Sequence, residues 1–172
     1  MKQTSLLIRT IAIALLLVSM TLPALADGFA TGAVGATKPA LGLGLAICLT
    51  SSKDPSEGMK RAMYASDAVL VSVGIARMLK TSITLNDGSK YEHSFPSGHT
   101  AGAFAMATSL ADLHPKHKWL YYTGAAVIGW ASVRSGGHTW QDVVGGAALG
   151  TAVGKSSVKS DDWMILGKTY KF

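Results

Sequence analysis

The chain has 172 residues, which is long enough for one modest domain with its own core. Its formal net charge is +6, yet only 15% of its residues are charged, against roughly 25% in an ordinary soluble domain. No run of Lys and Arg with interleaved aromatic residues is present, which argues against a nucleic-acid surface. A hydrophobic content of 48% and 19 glycines instead favour closely packed helices rich in small residues.

The N-terminus has the pattern of an export segment. Lys2 and Arg9 precede an apolar run over residues 10–22, which is followed by Pro23-Ala24-Leu25-Ala26. A basic start, a short apolar core and an Ala-x-Ala ending are typical of a signal peptide, here residues 1–26. The same residues could form an uncleaved first membrane helix. In either case we expect the chain to be exported across, or inserted in, a bacterial-type inner membrane.

Five helical segments are predicted after this leader. They cover residues 31–49, 59–79, 96–113, 119–133 and 140–154. Ser97 is the expected N-cap of the third segment, because its hydroxyl can accept a hydrogen bond from a free backbone N–H. The pattern predicts an all-α bundle of about five to six helices over residues 27–160, followed by a C-terminal tail at 161–172.

Two short stretches hold the residues with chemical potential. Pro96-Ser97-Gly98-His99 places a histidine at the start of a helix, where free backbone N–H groups attract anions. His138 and Asp142 are one helical turn apart, so the carboxylate can hold and orient the imidazole. An anion cradle, a proton donor and an oriented nucleophile together indicate a phosphoryl-transfer site.

These residues resemble the type 2 phosphatidic acid phosphatase (PAP2) and haloperoxidase superfamily, whose pattern is K-x6-R-P, then P-S-G-H, then S-R-x5-H-x3-D. The resemblance covers roughly residues 63–154 and implies a PAP2-like helical bundle. It implies that His138 is a nucleophile forming a phosphohistidine, that Asp142 orients it, and that His99 protonates the leaving oxygen. The implied phosphate-binding residues are Ser97, Gly98, Lys80 and Arg134. Neither a metal nor another cofactor is expected.

The chain departs from the family pattern at both arginine positions. Lys80 matches the lysine of the first motif, but the loop after it lacks the Arg-Pro pair. Ser132 occupies the position of the second arginine, and the nearest guanidinium is that of Arg134. Lys and Ser cannot reproduce the bidentate grip of Arg on phosphate. These departures predict weakened phosphate binding. His93 lies near the site loop, and the pattern gives it no role.

The resemblance implies a phosphatase acting on a lipid phosphate or diphosphate, or on a small phosphoester. The basic residues cluster in the loops at the ends of the helices opposite to the two motifs, so spanning helices would place the motifs at the periplasmic face. The apolar runs are shorter than about 18 residues, however, so a soluble periplasmic bundle stays open beside membrane association. A catalytically impaired PAP2-like protein that binds anionic headgroups or a partner is the alternative function. A vanadate-dependent haloperoxidase is a third, disfavoured by the short chain and the missing arginines.

Overall fold

The computed structural model describes residues 29–83 and 93–159. The helices in these ranges are α1 (Phe29–Gly35), α2 (Thr37–Thr50), α3 (Pro55–Ser82), α4 (Gly98–Leu113), α5 (Lys118–Arg134) and α6 (Trp140–Lys159), with a 3-10 turn at Pro115–His117. The described ranges contain no strand, so the predicted all-α bundle is confirmed. The expected signal peptide, the loop that lacks the Arg-Pro pair and the C-terminal tail lie outside the described residues.

Helices α1 and α2 replace the single helix predicted over residues 31–49. Pro39 has no backbone N–H, so the carbonyl of Gly35 has no helical partner one turn ahead. The two helices meet at Ala36, and the Thr37 hydroxyl donates a hydrogen bond to the Val34 carbonyl at 2.7 Å. Pro39 therefore explains the break between the two helices. The helical pattern, which predicted one helix over residues 31–49, missed it.

Helix α3 is longer at both ends than the predicted 59–79. Asp54 caps its start by accepting a hydrogen bond from the Ser56 backbone N–H at 2.9 Å, and Pro55 occupies the first turn, where a missing N–H costs nothing. The helix continues to Ser82. Its last turn carries Lys80 to the end of the bundle where the two motifs begin their helices.

Helix α4 is the centre of the bundle and contacts α2, α3, α5 and α6. Ser97 caps it as predicted, since its Oγ accepts a hydrogen bond from the Thr100 backbone N–H. Its buried positions are mostly occupied by small side chains, including those of Ala101, Ala103, Ala105 and Ala107. Four neighbouring helices can therefore approach its axis closely.

Helix α6 runs parallel to α4 and contacts it through glycines. A Cβ on Gly146 would lie 2.5 Å from the carbonyl oxygen of Ser97, and one on Gly150 would overlap the carbonyl of Ala101. Gly154, one turn further, faces Thr108 in the same way. These glycines, spaced four residues apart, permit a close approach that brings the first turns of α4 and α6 side by side.

Among the described residues, only α3 is both long and apolar enough to cross a membrane, and about a third of its most apolar stretch is buried. The basic residues at the starts of α3 and α5 and at the end of α6 lie at the far end of the bundle from Lys80. The bundle thus has one basic end and one end that carries the motifs.

Candidate active site

The motif end of the bundle holds a cleft of about 260 Å³. Its lining residues come from α1, the end of α3, the start of α4 and the end of α5 with the loop after it: Val34, Lys80, His93, Ser94, His99, Ser132, Ser135, Gly137 and His138. The structure therefore brings together both predicted histidines and Lys80. Among the residues described, Ser97, Gly98 and Arg134 are not part of this lining, and Arg134 is exposed at the end of α5.

Asp142 contacts His138 but does not itself line the cleft. Its Oδ2 lies 3.3 Å from Nδ1 of His138 and accepts a hydrogen bond from the Thr139 backbone N–H at 2.9 Å. The Asp142 side chain is fully buried, whereas that of His138 is 12% exposed. Oδ1 of Asp142 has no hydrogen-bond partner within the described ranges. The imidazole and the Thr139 backbone N–H thus both contact this buried carboxylate, and the attraction to the ring will strengthen when the ring becomes positively charged.

The first turn of α4 is bonded directly to that of α6. The backbone N–H of Ser97 donates to the carbonyl of Asp142 at 2.9 Å. The Ser97 hydroxyl accepts from the Thr100 hydroxyl at 3.0 Å and is fully buried. Ser97 therefore joins the two motifs in this structure. The phosphate-binding roles expected for Ser97, Gly98 and Arg134 stay predictions.

The surroundings of His138 favour its neutral form. Burial is the largest cause that lowers its pKa, and the Lys80 ammonium lowers it further. The hydrogen bond and charge of Asp142 act in the opposite direction without cancelling these effects. A neutral imidazole bonded through Nδ1–H to a carboxylate keeps the lone pair on Nε2, which is the form that can attack phosphorus.

His99 occupies the first turn of α4 and remains partly exposed at the cleft. Its pKa is lowered first by partial desolvation, then by the charges of Lys80 and Lys38. A bound phosphate would oppose these cations and return the ring toward its protonated form. His99 is therefore placed to exchange a proton with a substrate rather than to stay permanently charged.

Two residues near the histidines, Lys38 and Ser94, were not named from the sequence, and a third, His93, was named without a role. Lys38 is the only charged residue of α2, and it acts on His99 through space. His93 and Ser94 line the cleft, with His93 in a left-handed backbone conformation at φ 60°. The one signal in the sequence for His93 and Ser94 was that they lie just before Pro96. Their place in the cleft depends on the local turn and on how α1 and α3 pack, which spacing along the chain does not reveal.

No group of three or more His, Cys, Asp or Glu side chains in the described part of the chain is arranged to hold a metal ion. The cleft instead combines the imidazoles of His93, His99 and His138 with the Lys80 ammonium. Fixed cationic and N–H donors of this kind can stabilise the oxygens of a transferring phosphoryl group.

Comparisons with known proteins agree with this arrangement. A search of curated proteins finds no match. The crystal structure of Aquifex aeolicus LpxE is similar, with 26% sequence identity, a TM-score of 0.60, and coverage of 84% of this chain and 94% of that one. The model of the PAP2 superfamily matches residues 12–163, a range that includes both motifs. The chain therefore belongs to the PAP2 superfamily.

Proposed function

We propose that this protein hydrolyses a lipid phosphate or diphosphate through a phosphohistidine intermediate on His138. Membership of the PAP2 superfamily and the similarity to LpxE support a phosphatase acting on lipid phosphates. The observation that carries the mechanism is the contact between Nδ1 of His138 and Oδ2 of buried Asp142, beside His99 in one cleft. Nucleophile, orienting carboxylate and proton donor are thereby assembled at one end of the bundle.

In the first step Nε2 of His138 attacks phosphorus, forming a P–N bond as the P–O bond to the leaving group breaks. His99 gives its proton to the departing oxygen, which leaves as an alcohol from a lipid phosphate or as a lipid monophosphate from a lipid diphosphate. The imidazole of His138 now carries positive charge, which the buried Asp142 carboxylate stabilises. Lys80 lines the cleft and offers its ammonium to the phosphoryl oxygens.

In the second step a water molecule attacks the phosphohistidine. Neutral His99 accepts a proton from this water, and the P–N bond breaks as the new P–O bond forms. Phosphate is released and His138 returns to its neutral form. Every group in this cycle is a side chain of the chain itself, so the proposed reaction needs no metal or other cofactor.

The same proposal includes association with a membrane and an active face on its exported side. Helix α3 could span a bilayer by length and composition. Helix α5 exposes large apolar side chains, with Trp119 exposed by 74% and Leu120 by 69%. Such a surface is unusual on a soluble monomer and suits contact with lipid. The basic end of the bundle would face the cytoplasm, which leaves the cleft on the other side.

Phosphate release from purified protein tests the activity. Phosphatidate, a polyprenyl diphosphate and a small aryl phosphate are offered with a chelator present and no metal added. We expect release from at least one lipid substrate, and its loss by about 10³-fold or more in His138→Ala. His117→Ala, in the exposed 3-10 turn at the other end of the bundle, is the matched control. Activity that persists in His138→Ala removes this histidine as the nucleophile.

The departures at the arginine positions favour a second function, binding of anionic headgroups without turnover. The Ser132 hydroxyl donates to the carbonyl of Ile128 at 2.9 Å, and Arg134 is exposed outside the cleft lining. Neither residue supplies the bidentate grip of a guanidinium in the cleft. Binding to vesicles containing phosphatidate, with no phosphate released from any substrate, would identify this function.

A further inference from the structure

At position 132 the cleft has a serine, which does not supply the phosphate-binding donor of an arginine. This residue lines the cleft and is 1% exposed, and it stands where the superfamily pattern has an arginine. Its hydroxyl proton is engaged with the Ile128 carbonyl of its own helix at 2.9 Å. A serine held in this way neither fills the volume of a guanidinium nor turns its donor toward a substrate. Another group must supply the missing donor if phosphate is to be held firmly.

His93 lines the same cleft as Ser132, His99 and His138. It is exposed, and an imidazole N–H can donate to a phosphate oxygen. Its backbone is left-handed, with φ 60°, a conformation that only a few per cent of non-glycine residues adopt. Such conformations persist where the surroundings hold them and concentrate at ligand-binding sites. The adjoining Ser94, also in the lining, is buried and anchors this turn against the bundle.

We propose that His93 is a substrate-binding residue that donates a hydrogen bond to the phosphate, in place of the arginine absent at position 132. This inference deepens the proposed function and rests on it. In the proposed mechanism, His138 attacks phosphorus and His99 transfers the proton. His93 and Lys80, which line the same cleft as Ser132, hold the non-transferring oxygens.

His93→Gly is the most informative variant, because glycine adopts a left-handed backbone without strain. A purely structural role for His93 predicts that this variant keeps its activity and its thermal midpoint. A substrate-binding role predicts an unchanged thermal midpoint with a KM raised about tenfold or more, the effect of one lost hydrogen bond to a charged group. His93→Asn, which tolerates the same backbone and keeps an amide donor, should lie between wild type and His93→Gly.

Ser132→Arg introduced into the His93→Gly background supplies the second arm of the test. A guanidinium at position 132 should restore a large part of the lost affinity, because it replaces the donor at the same phosphate. Ser56→Arg, at an exposed position at the basic end of the bundle, controls for a nonspecific gain of positive charge. Rescue by Ser132→Arg alone supports the proposal, whereas equal rescue by both variants contradicts it.

Binding of inorganic phosphate separates this inference from the activity itself. The dissociation constant measured by calorimetry should rise about tenfold or more in His93→Gly, whether or not the wild type turns over any lipid. An unchanged dissociation constant and an unchanged KM overturn the role of His93 while leaving the phosphatase intact. A wild type that binds phosphate through His93 but releases none from any substrate overturns the activity instead.

Discussion

At the scale of single residues, Asp142 determines which nitrogen of His138 faces the cleft. A carboxylate can only accept, so the ring nitrogen that lies 3.3 Å from Oδ2 must carry the proton. The Thr139 backbone N–H donates to the same oxygen at 2.9 Å and fixes the position of the carboxylate. The neutral ring then carries its lone pair on Nε2, the atom that attacks phosphorus in the proposed mechanism. Loss of this one contact would leave both tautomers accessible and the ring free to turn.

Lys38 provides a test of the proton-transfer role of His99. Its charge lowers the pKa of His99 and is not among the causes that shift the pKa of His138. Lys38→Gln should therefore raise the pKa of His99. Because His99 must be protonated to act as the general acid, the alkaline limb of the kcat/KM profile should move to higher pH. The acidic limb, which reports protonation of His138, should stay in place.

The matched control for this profile is Lys53→Gln, which removes an exposed ammonium between α2 and α3 at the opposite end of the bundle. It should leave both limbs where they are in the wild type. The comparison uses one substrate throughout, so ionisation of the phosphate itself contributes equally to every profile. An alkaline limb that stays fixed in Lys38→Gln contradicts the assignment of His99 as the acid.

The sequence identified the central residues of this site better than those around them. His99, His138 and Asp142 belong to short motifs in which the residues that cooperate are four or fewer positions apart. The family resemblance implied that Lys80 and Arg134 lie with both histidines, and the cleft lining contains His99, His138 and Lys80 but not Arg134. Lys38 and His93 reach the site through the packing of α2 and through a left-handed turn, neither of which has a periodic signal.

At the scale of elements, the contact between α4 and α6 sets the geometry of the site. Their first turns carry His99 and Asp142, and the hydrogen bond from Ser97 to Asp142 joins them. Glycines on α6 permit this approach because a side chain there would meet the backbone of α4. Any group that pushes these helices apart would also separate His99 from His138, the proposed proton donor and nucleophile.

Gly150→Ala tests this contact. Its Cβ would overlap the carbonyl of Ala101, a backbone group that cannot rotate away. We expect a cost of about 1–3 kcal/mol and a thermal midpoint lower by several degrees. Gly124→Ala, in α5, is the matched control, because nothing lies within 4 Å of its Cβ. It should stabilise the helix by up to about 1 kcal/mol. Equal thermal midpoints for the two variants would show that the glycines are not needed for packing.

The element boundaries show where helical patterning stops being informative. The N-cap at Ser97 is a local signal, and it predicted the start of α4 correctly. The break at Ala36 was missed because Pro39 acts on a carbonyl four residues earlier, inside a stretch that otherwise looks helical. The early start of α3 was missed because its cap, Asp54, lies in a polar loop that resembles a simple linker.

At the scale of the whole molecule, the basic residues and the candidate active site lie at opposite ends of the bundle. Basic residues gather at one end, where the start of α5 also exposes Trp119 and Leu120, and the cleft lies at the other end. This polarity fits an enzyme that sits in a membrane with its cleft near the lipid headgroups. The all-α fold could be predicted from composition, periodicity and the family pattern. The parallel pairing of α4 and α6 could not be deduced from periodicity, because it depends on contacts between segments far apart along the chain.

The central claim is that phosphate passes through His138, and trapping the intermediate tests it most directly. Protein mixed with a substrate labelled in its phosphate is quenched in base within the first turnovers, and the labelled residue is located by peptide mapping. His99→Ala with an activated aryl phosphate should increase the trapped fraction, since this substrate leaves without an acid while attack by water still needs His99. We predict a base-stable, acid-labile label on His138 that is absent from His138→Ala. Turnover with no labelled histidine, or a label on another residue, would contradict the account.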